Sequence, residues 1–431
     1  MATEALSLSA LAAKIAATAT QVEEALRKSG APQPSFDIDA PQGLPHDPEI
    51  QLAKFQLQDA LHDLSLLVQG PDDYLLNTTM IGKYDVSVVG LLNEFNFWDA
   101  VPRDGTATYS DIANATNLSE STVRRILRHA FTNRIFAETT PGSGIIKHTA
   151  TSVRPLTEPL WRSTIGNMLD EAGKAMMNAG DALRKWGDSP YPAETPLGYT
   201  FFPDTKDREM NYFKWVNEEG NQWRVERFGK CMEHVTKNPA VRVNTIHDLY
   251  DWDGLGNASV IDIGGSGGHV SLELASHHPN LTFTVQDLPE LKGNFDSLIP
   301  ESLQDRITFQ GHNFWGLQPV KDADVYLFRM IFHDWSDLYC TKLLKNTAAV
   351  MKPGSKLLIC DSVLPPNGGV PTTAMKMLSS MDLQMFVIGG KQRTAEDFGA
   401  LVSGADASLE LKSVKSIPGV AFGMVEIEKG A

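Results

Sequence analysis

The sequence predicts an α/β protein, with a C-terminal domain built on a mainly parallel sheet behind a mainly helical N-terminal half. Two observations carry this. From Ala258 onward, five β-rich runs (258–264, 282–287, 306–314, 323–332 and 355–363) alternate with helical segments. Strands separated in this way by helices join into a parallel sheet with covering helices. Before Ala258, apolar residues recur at helical spacing, interrupted by proline-rich and turn-forming stretches. The final run, 409–428, reads as two further strands, antiparallel to each other.

Length and composition narrow the function classes. At 431 residues the chain calls for two or three domains, and 42% hydrophobic against 21% charged residues is enough to bury a core in each. Lys and Arg number 38 against 53 Asp and Glu, a net charge of −15 that argues against nucleic-acid binding. Three cysteines, Cys231, Cys340 and Cys360, make neither a disulfide framework nor a four-thiolate zinc site. No metal is expected. No run approaches the ~18 apolar residues of a membrane-spanning helix. Glu4 precedes any basic residue and Lys14 interrupts the first apolar stretch, so no secretory signal is read. The expected setting is cytoplasmic.

The elements follow in order. In residues 5–29, Leu8, Leu11, Ile15, Val22 and Leu26 form one helical stripe ended by Gly30, to be covered by the chain's own body or by a partner subunit. Pro32, Pro34, Pro41, Pro45 and Pro48 then make a linker. Helix returns from Glu49 to about Leu76 and again over Val89–Phe97. A short strand at 107–109, a helix opened by Ser110, a turn at 117–119 and a second helix from Glu120 follow. Residues 135–137 and 145–148 flank the turn residues 141–144 as a hairpin, so the whole is a winged helix. Residues 153–247 read as helical, with a loop over 189–205.

The chemistry begins at the first strand of the sheet. Gly264, Gly265, Gly267 and Gly268 lie between a buried strand and a helix, where a tight turn lets backbone approach a ligand closely. About twenty residues on, Asp287 ends the next strand at the spacing of an acid that accepts ribose hydroxyls. Neither the dinucleotide pattern G-x-G-x-x-G nor a phosphate loop GxxxxGK[ST] is present. The combination suits S-adenosylmethionine.

Four segments then occur in sequence: VIDIGGSGGHVSLELASHHPNLTFTVQDLPE, ADVYLFRMIFHDWSD, MKPGSKLLICDSVLP and GGKQRTAEDF. Together they resemble the plant-type small-molecule O-methyltransferases in their fungal branch, from about residue 50 to the C-terminus. The resemblance implies a Rossmann-like methyltransferase domain (248–431), a winged-helix dimerisation domain (49–152), a helical bridge lining the substrate (153–247) and an N-terminal arm with its linker (1–48). It implies a homodimer. It assigns Gly264, Gly265 and Gly267 to the cofactor loop and Asp287 to the ribose. His312, Asn313 and Phe314 fall at the adenine end, and Arg329 beside the cofactor. Where the family usually has an acid near the adenine, this chain has His312-Asn313.

The resemblance makes His333, in HDWSD, the general base. A phenol of pKa ~10 is a poor nucleophile at neutral pH until it loses its proton, and neutral imidazole is a suitable acceptor. Two family acids orient that base. Here Asp361 stands where a Glu is usual, and Gln392 replaces the acid of a Lys-Glu-Arg-Thr motif. Asp361 is expected to orient His333 and Gln392 to hold its other side, without the charge that stabilises an imidazolium. Asp334 is a possible substitute.

The reading is therefore an S-adenosylmethionine-dependent O-methyltransferase acting on a small aromatic or enolic hydroxyl of a secondary metabolite. The alternative is a methyltransferase-like pericyclase that keeps the cofactor as an electrostatic element. Met176, Met177, Trp215, Trp223 and Met385 are among the side chains suited to a flat polyketide or phenolic substrate. Arg124, Arg125 and Arg128 on the second helix of the winged helix invite a DNA reading. The acidic chain and the core role of Ile126 and Leu127 argue against it.

Overall fold

The computed structural model describes residues 7–417 and 419–430, so Ala5 and Leu6 of the expected N-terminal helix and Pro418 between the last strands lie outside it. The chain divides into two compact units. The first holds the described residues up to Lys174 together with Glu219–His234 and Val370–Lys376; the second holds Ala175–Glu218, Val235–Gly369 and the described residues from Met377. The expected helical bridge is shared between them.

In the first unit, the helix Leu8–Ser29 starts on Ser7, whose hydroxyl accepts from the Ala10 N–H, and ends at Gly30 with φ 68°. Its stripe is covered in part by the chain's own helix Pro48–Leu76: Val22 and Leu26 pack with Ile50 and Ala53, while Leu8 is exposed. Pro48 begins that helix behind the capping Asp47, and Gly70 (φ 71°, ψ 170°) before Pro71 kinks it. The expected helix over Val89–Phe97 is instead Gly82–Glu94 followed by a separate turn, Phe97–Ala100, because Asn96 takes the left-handed conformation at φ 54°.

The strands and helices expected over residues 107–148 are present. Strands β1 (Ala107–Thr108), β2 (Ala137–Glu138) and β3 (Ile145–Lys147) pair in the order β1-β3-β2. The first helix of this segment, Tyr109–Thr116, is opened by Thr108 rather than Ser110. The Thr108 hydroxyl accepts from the Asp111 N–H at 3.2 Å and the Asp111 carboxylate accepts from the Thr108 N–H at 2.8 Å, a reciprocal capping box. The second helix, Glu120–Thr132, buries Val123, Ile126, Leu127 and Ala130. Truncating the fully buried Leu127 to Ala would cost about 2–5 kcal/mol. Arg124 pairs with Glu120 and stacks on the Tyr109 ring, 4.0 Å from its centroid.

The second unit carries the sheet. Its strands are β4 (Ala258–Ile263), β5 (Leu281–Asp287), β6 (Ile307–Gly311), β7 (Val325–Arg329), β8 (Lys356–Asp361), β9 (Val363–Leu364), β10 (Arg393–Thr394), β11 (Leu409–Ser416) and β12 (Gly423–Lys429). Seven of them join in the order β11-β12-β8-β7-β4-β5-β6, while β9 and β10 form a small parallel pair. Pairing from β6 to β8 is parallel throughout, and β12 runs antiparallel to both β8 and β11. Central strands are buried on both faces, as the adjacent pairs Val260 and Ile261, Val325 and Tyr326, and Leu357 and Leu358 show, which is why they read as unbroken apolar runs. The loop expected over 189–205 contains a helical turn, Pro196–Phe201, started by the Thr195 hydroxyl accepting from Gly198 N–H. No helix among the described residues is long and apolar enough to cross a membrane.

Candidate active site

The parallel strands bring the expected residues to one edge of the sheet. Counting from β6, successive strands lie β5, β4 and then β7, β8, so chain order reverses between β4 and β7. Ligands of such sheets bind at the carboxyl ends of the strands beside that reversal. Gly264 follows β4, Asp287 ends β5, His312 follows β6, Arg329 ends β7 and Asp361 ends β8. His333 sits in the single turn Phe332–Asp334 just beyond β7.

The glycine loop is held by backbone. The N–H groups of Gly264 and Gly265 both donate to Gln286 O, at 2.8 and 3.2 Å. Gly264 has φ +73°, and a Cβ there would stand 2.6 Å from the end of the Ile331 side chain, so any larger residue is strained and must displace Ile331. At Gly265 a Cβ would meet the Asp262 carboxyl at 2.7 Å, whereas Gly267 faces Asn294 and Leu298 with room for one. Asp287 spans the loop: Oδ2 accepts from Ser266 N–H at 2.8 Å and Oδ1 from Leu288 N–H at 2.7 Å. Burial nevertheless raises its pKa above the usual carboxylate value. A carboxylate offers about four acceptor positions, so two remain for a diol.

On the next loop His312 is half-buried, and its Nε2 has no hydrogen-bond partner among the described residues. Asn313 turns inward on its own loop, Oδ1 accepting from Trp315 N–H at 3.1 Å. Phe314 lies 3.7 Å from where a Gly264 Cβ would be. Arg329 donates to Val241 O at 3.1 Å and lies 5.0 Å over the Phe422 ring.

His333 is 8% exposed. Asp361 Oδ2 accepts from the His333 backbone N–H at 3.2 Å, and Oδ1 lies 3.7 Å from the ring Nδ1. Gln392 Nε2 lies 3.4 Å from that same Nδ1, so Gln392 shares the Asp361 side of the ring rather than holding the other. The other nitrogen, Nε2, has Asp334 Oδ1 at 3.5 Å. Burial raises the pKa of Asp361, and pushes that of Asp334 up to about 6. Asp361 Oδ1 and Gln392 Oε1 are both buried without a hydrogen-bond partner among the described residues. These are the acceptors that an Nδ1–H would use.

Three contributors were missed in the sequence. Arg393, 1% exposed, binds the His333 turn from behind: Nη1 donates to Phe332 O at 2.8 Å, Nη2 to Trp335 O at 2.9 Å, and Nε to Asp337 Oδ1 at 2.9 Å. Gly390 meets the turn too closely for any side chain, since a Cβ would fall 2.1 Å from His333 O. Asp262, next to the C-terminal end of β4, is fully buried, receives the Ser271 hydroxyl at 2.7 Å, and is pushed up to about 6 by burial. An acid inside an otherwise apolar strand was the readable signal for Asp262. All three cysteines are free and buried, and burial pushes Cys340 and Cys360 up to about 12, which leaves their thiols unreactive.

The site joins a parallel sheet, a glycine loop spanned by Asp287, and a buried histidine with acids at both ring nitrogens, and comparison with known proteins gives its family. Residues 219–407 match the O-methyltransferase domain family. The O-methyltransferase PaMT of Phomopsis amygdali is 32% identical over 422 residues, covering 97% of this chain and 95% of that protein. The crystal structure of OxaC in complex with SAH and oxaline superposes with a TM-score of 0.76 at 24% identity, covering 98% of each chain. A structure described as a pericyclic reaction enzyme superposes at 0.70 with 19% identity, covering 96% of this chain and 99% of that one. The chain belongs to the O-methyltransferase family and uses S-adenosylmethionine as its cofactor.

Proposed function

We propose that the chain methylates a small aromatic or enolic hydroxyl of a secondary metabolite, with His333 as general base. One observation carries the reading most: His333 is buried at the reversal point of the sheet, with an acceptor-rich pair on Nδ1 and a carboxylate at Nε2. Bound S-adenosylmethionine supplies a methyl group activated by its sulfonium. The residues fit that cofactor. Asp287 keeps two acceptor positions that would take the ribose, the Gly264, Gly265 and Gly267 loop admits close approach, and His312 and Phe314 would flank the adenine end, with Arg329 nearby.

In this reading His333 takes the hydroxyl proton on one ring nitrogen while the other keeps its hydrogen. Turning the Gln392 carboxamide over places Oε1 against Nδ1–H, which leaves Nε2, beside Asp334, as the unprotonated acceptor. Asp361 then supplies the negative charge that Gln392 lacks, at 3.7 Å and with an unused oxygen. Alignment of hydroxyl and methyl group supplies much of the rate.

A second copy is the proposed partner. Leu67, Val68, Leu75, Leu76 and Met80 expose apolar side chains along the helical segments Pro48–Leu76 and Asn77–Ile81, which supports a homodimer. Free, buried thiols support a cytoplasmic setting.

The second reading, a pericyclase, is favoured by Gln392, which leaves the base with one charged neighbour fewer than the family pattern. Incubation of a substrate pool with methyl-labelled S-adenosylmethionine, followed by mass spectrometry, decides between them. Products heavier by one labelled methyl support methyl transfer. Conversion at unchanged mass, also seen with the demethylated cofactor, would establish the pericyclase.

A further inference from the structure

We propose that the second unit carries a site for one divalent transition-metal ion of the zinc class, formed by His247, Glu273 and His277. The first lies on the helical turn Ile246–Leu249, and the others are four residues apart on one face of the helix His269–His277 that follows the glycine loop. One ligand atom from each lies within 4.8 Å of the others. The separations are close to those of coordination: His247 Nε2 to Glu273 Oε1 is 3.1 Å, slightly short, and His277 Nδ1 to the same oxygen is 3.6 Å. Ligand bonds of ~2.0–2.2 Å arranged tetrahedrally put neighbouring donors about 3.3–3.6 Å apart.

Proton bookkeeping in the surrounding chain points the same way. Asp253 Oδ1 lies 2.7 Å from His278 Nδ1, His278 Nε2 lies 3.0 Å from His247 Nδ1, and His247 Nε2 lies 3.1 Å from Glu273 Oε1. Those are three donor–acceptor contacts, while two neutral imidazoles carry only two N–H hydrogens. The chain is one hydrogen short, and filling it from Asp253, whose side chain is 85% exposed, rather than from Glu273, makes His278 donate to that carboxylate and His247 donate to His278. The unprotonated His247 Nε2 is left facing an oxygen that can only accept. A cation between them removes that conflict, and the Asp253–His278 pair becomes the outer support that fixes a ligating imidazole. His277, 60% exposed, gives up the 3.0 Å contact of its Nδ1 with Glu273 O to complete the set, and solvent supplies the remaining ligand. Two nitrogens and one oxygen suit zinc-class ions better than magnesium or calcium. The ion would tie the turn Ile246–Leu249 to the far end of the helix that starts at the cofactor loop.

Nothing in this site depends on His333 or on methyl transfer. The test is calorimetric titration of chelator-stripped full-length protein with zinc chloride, with cobalt absorption as a second readout. The expected result is one saturable ion per chain and a higher melting temperature on zinc addition. Glu273→Gln and the exposed His277→Asn should each weaken binding at least about tenfold, and His278→Asn about 10–100-fold. Absence of saturable uptake, with a melting temperature indifferent to zinc, would overturn the site and leave a shared proton as the occupant. Equal affinity in His277→Asn, whose surface position preserves the fold, would overturn it too.

Discussion

Asp361 meets His333 twice, accepting its backbone N–H at 3.2 Å through Oδ2 and standing 3.7 Å from its Nδ1 through Oδ1. One carboxylate therefore fixes the turn and lies ready for the ring. Gln392, beside the same nitrogen, contributes no charge.

Restoring that charge should strengthen the base. In Gln392→Glu, a second carboxylate beside Nδ1 favours the imidazolium, so the His333 limb of the pH–rate profile should move to higher pH. The turnover number at low pH should fall as the protonated base becomes harder to clear. Profiles of kcat for both proteins check this; an unmoved limb would separate Gln392 from His333.

Asp334 should leave a mark on stability. Its pKa in the folded chain is about 6 against an ordinary 3.8, so between those values the folded protein keeps a proton that the unfolded chain has lost. The contribution is fully present below about pH 4 and is lost as pH rises through 6. Asp334→Asn should remove that loss, stabilising the protein at pH 7 by on the order of 1–3 kcal/mol. Denaturant unfolding at pH 4, 5.5 and 7 measures the change. Asp262, also near 6, should keep part of the slope in the variant.

Gly264→Ala should weaken the cofactor loop. The added methyl meets Ile331 at 2.6 Å in a backbone conformation, φ +73°, that alanine rarely adopts. Affinity for the demethylated cofactor, measured by calorimetry, should fall at least about tenfold, with the melting temperature lowered as well. Unchanged affinity would remove Gly264 from the site.

Much of this was legible because parallel strands buried on both faces are unbroken apolar runs, and the turns between them carry the chemistry. β4 to β8, the antiparallel pair β11 and β12, the glycine loop, Asp287 and His333 all fall where the pattern puts them. Local competition decided what was not legible. Thr108 outbid Ser110 as a cap because Asp111 completes its capping box, and Asn96 broke a helix by turning left-handed. Long-range contacts were harder still. Nothing in the spacing shows that Gln392 and Asp361 share one nitrogen of His333, or that Arg393 reaches Phe332 and Trp335. The His247 cluster joins segments that only the packing of one helix against a turn brings together.

The most direct measurement is transfer of labelled methyl from S-adenosylmethionine to a hydroxyl substrate by the parent chain and by His333→Ala, with cofactor affinity measured alongside. With His333 as general base, transfer should drop about 10²–10⁴-fold while the cofactor still binds. Undiminished transfer in His333→Ala would contradict the role given to that residue.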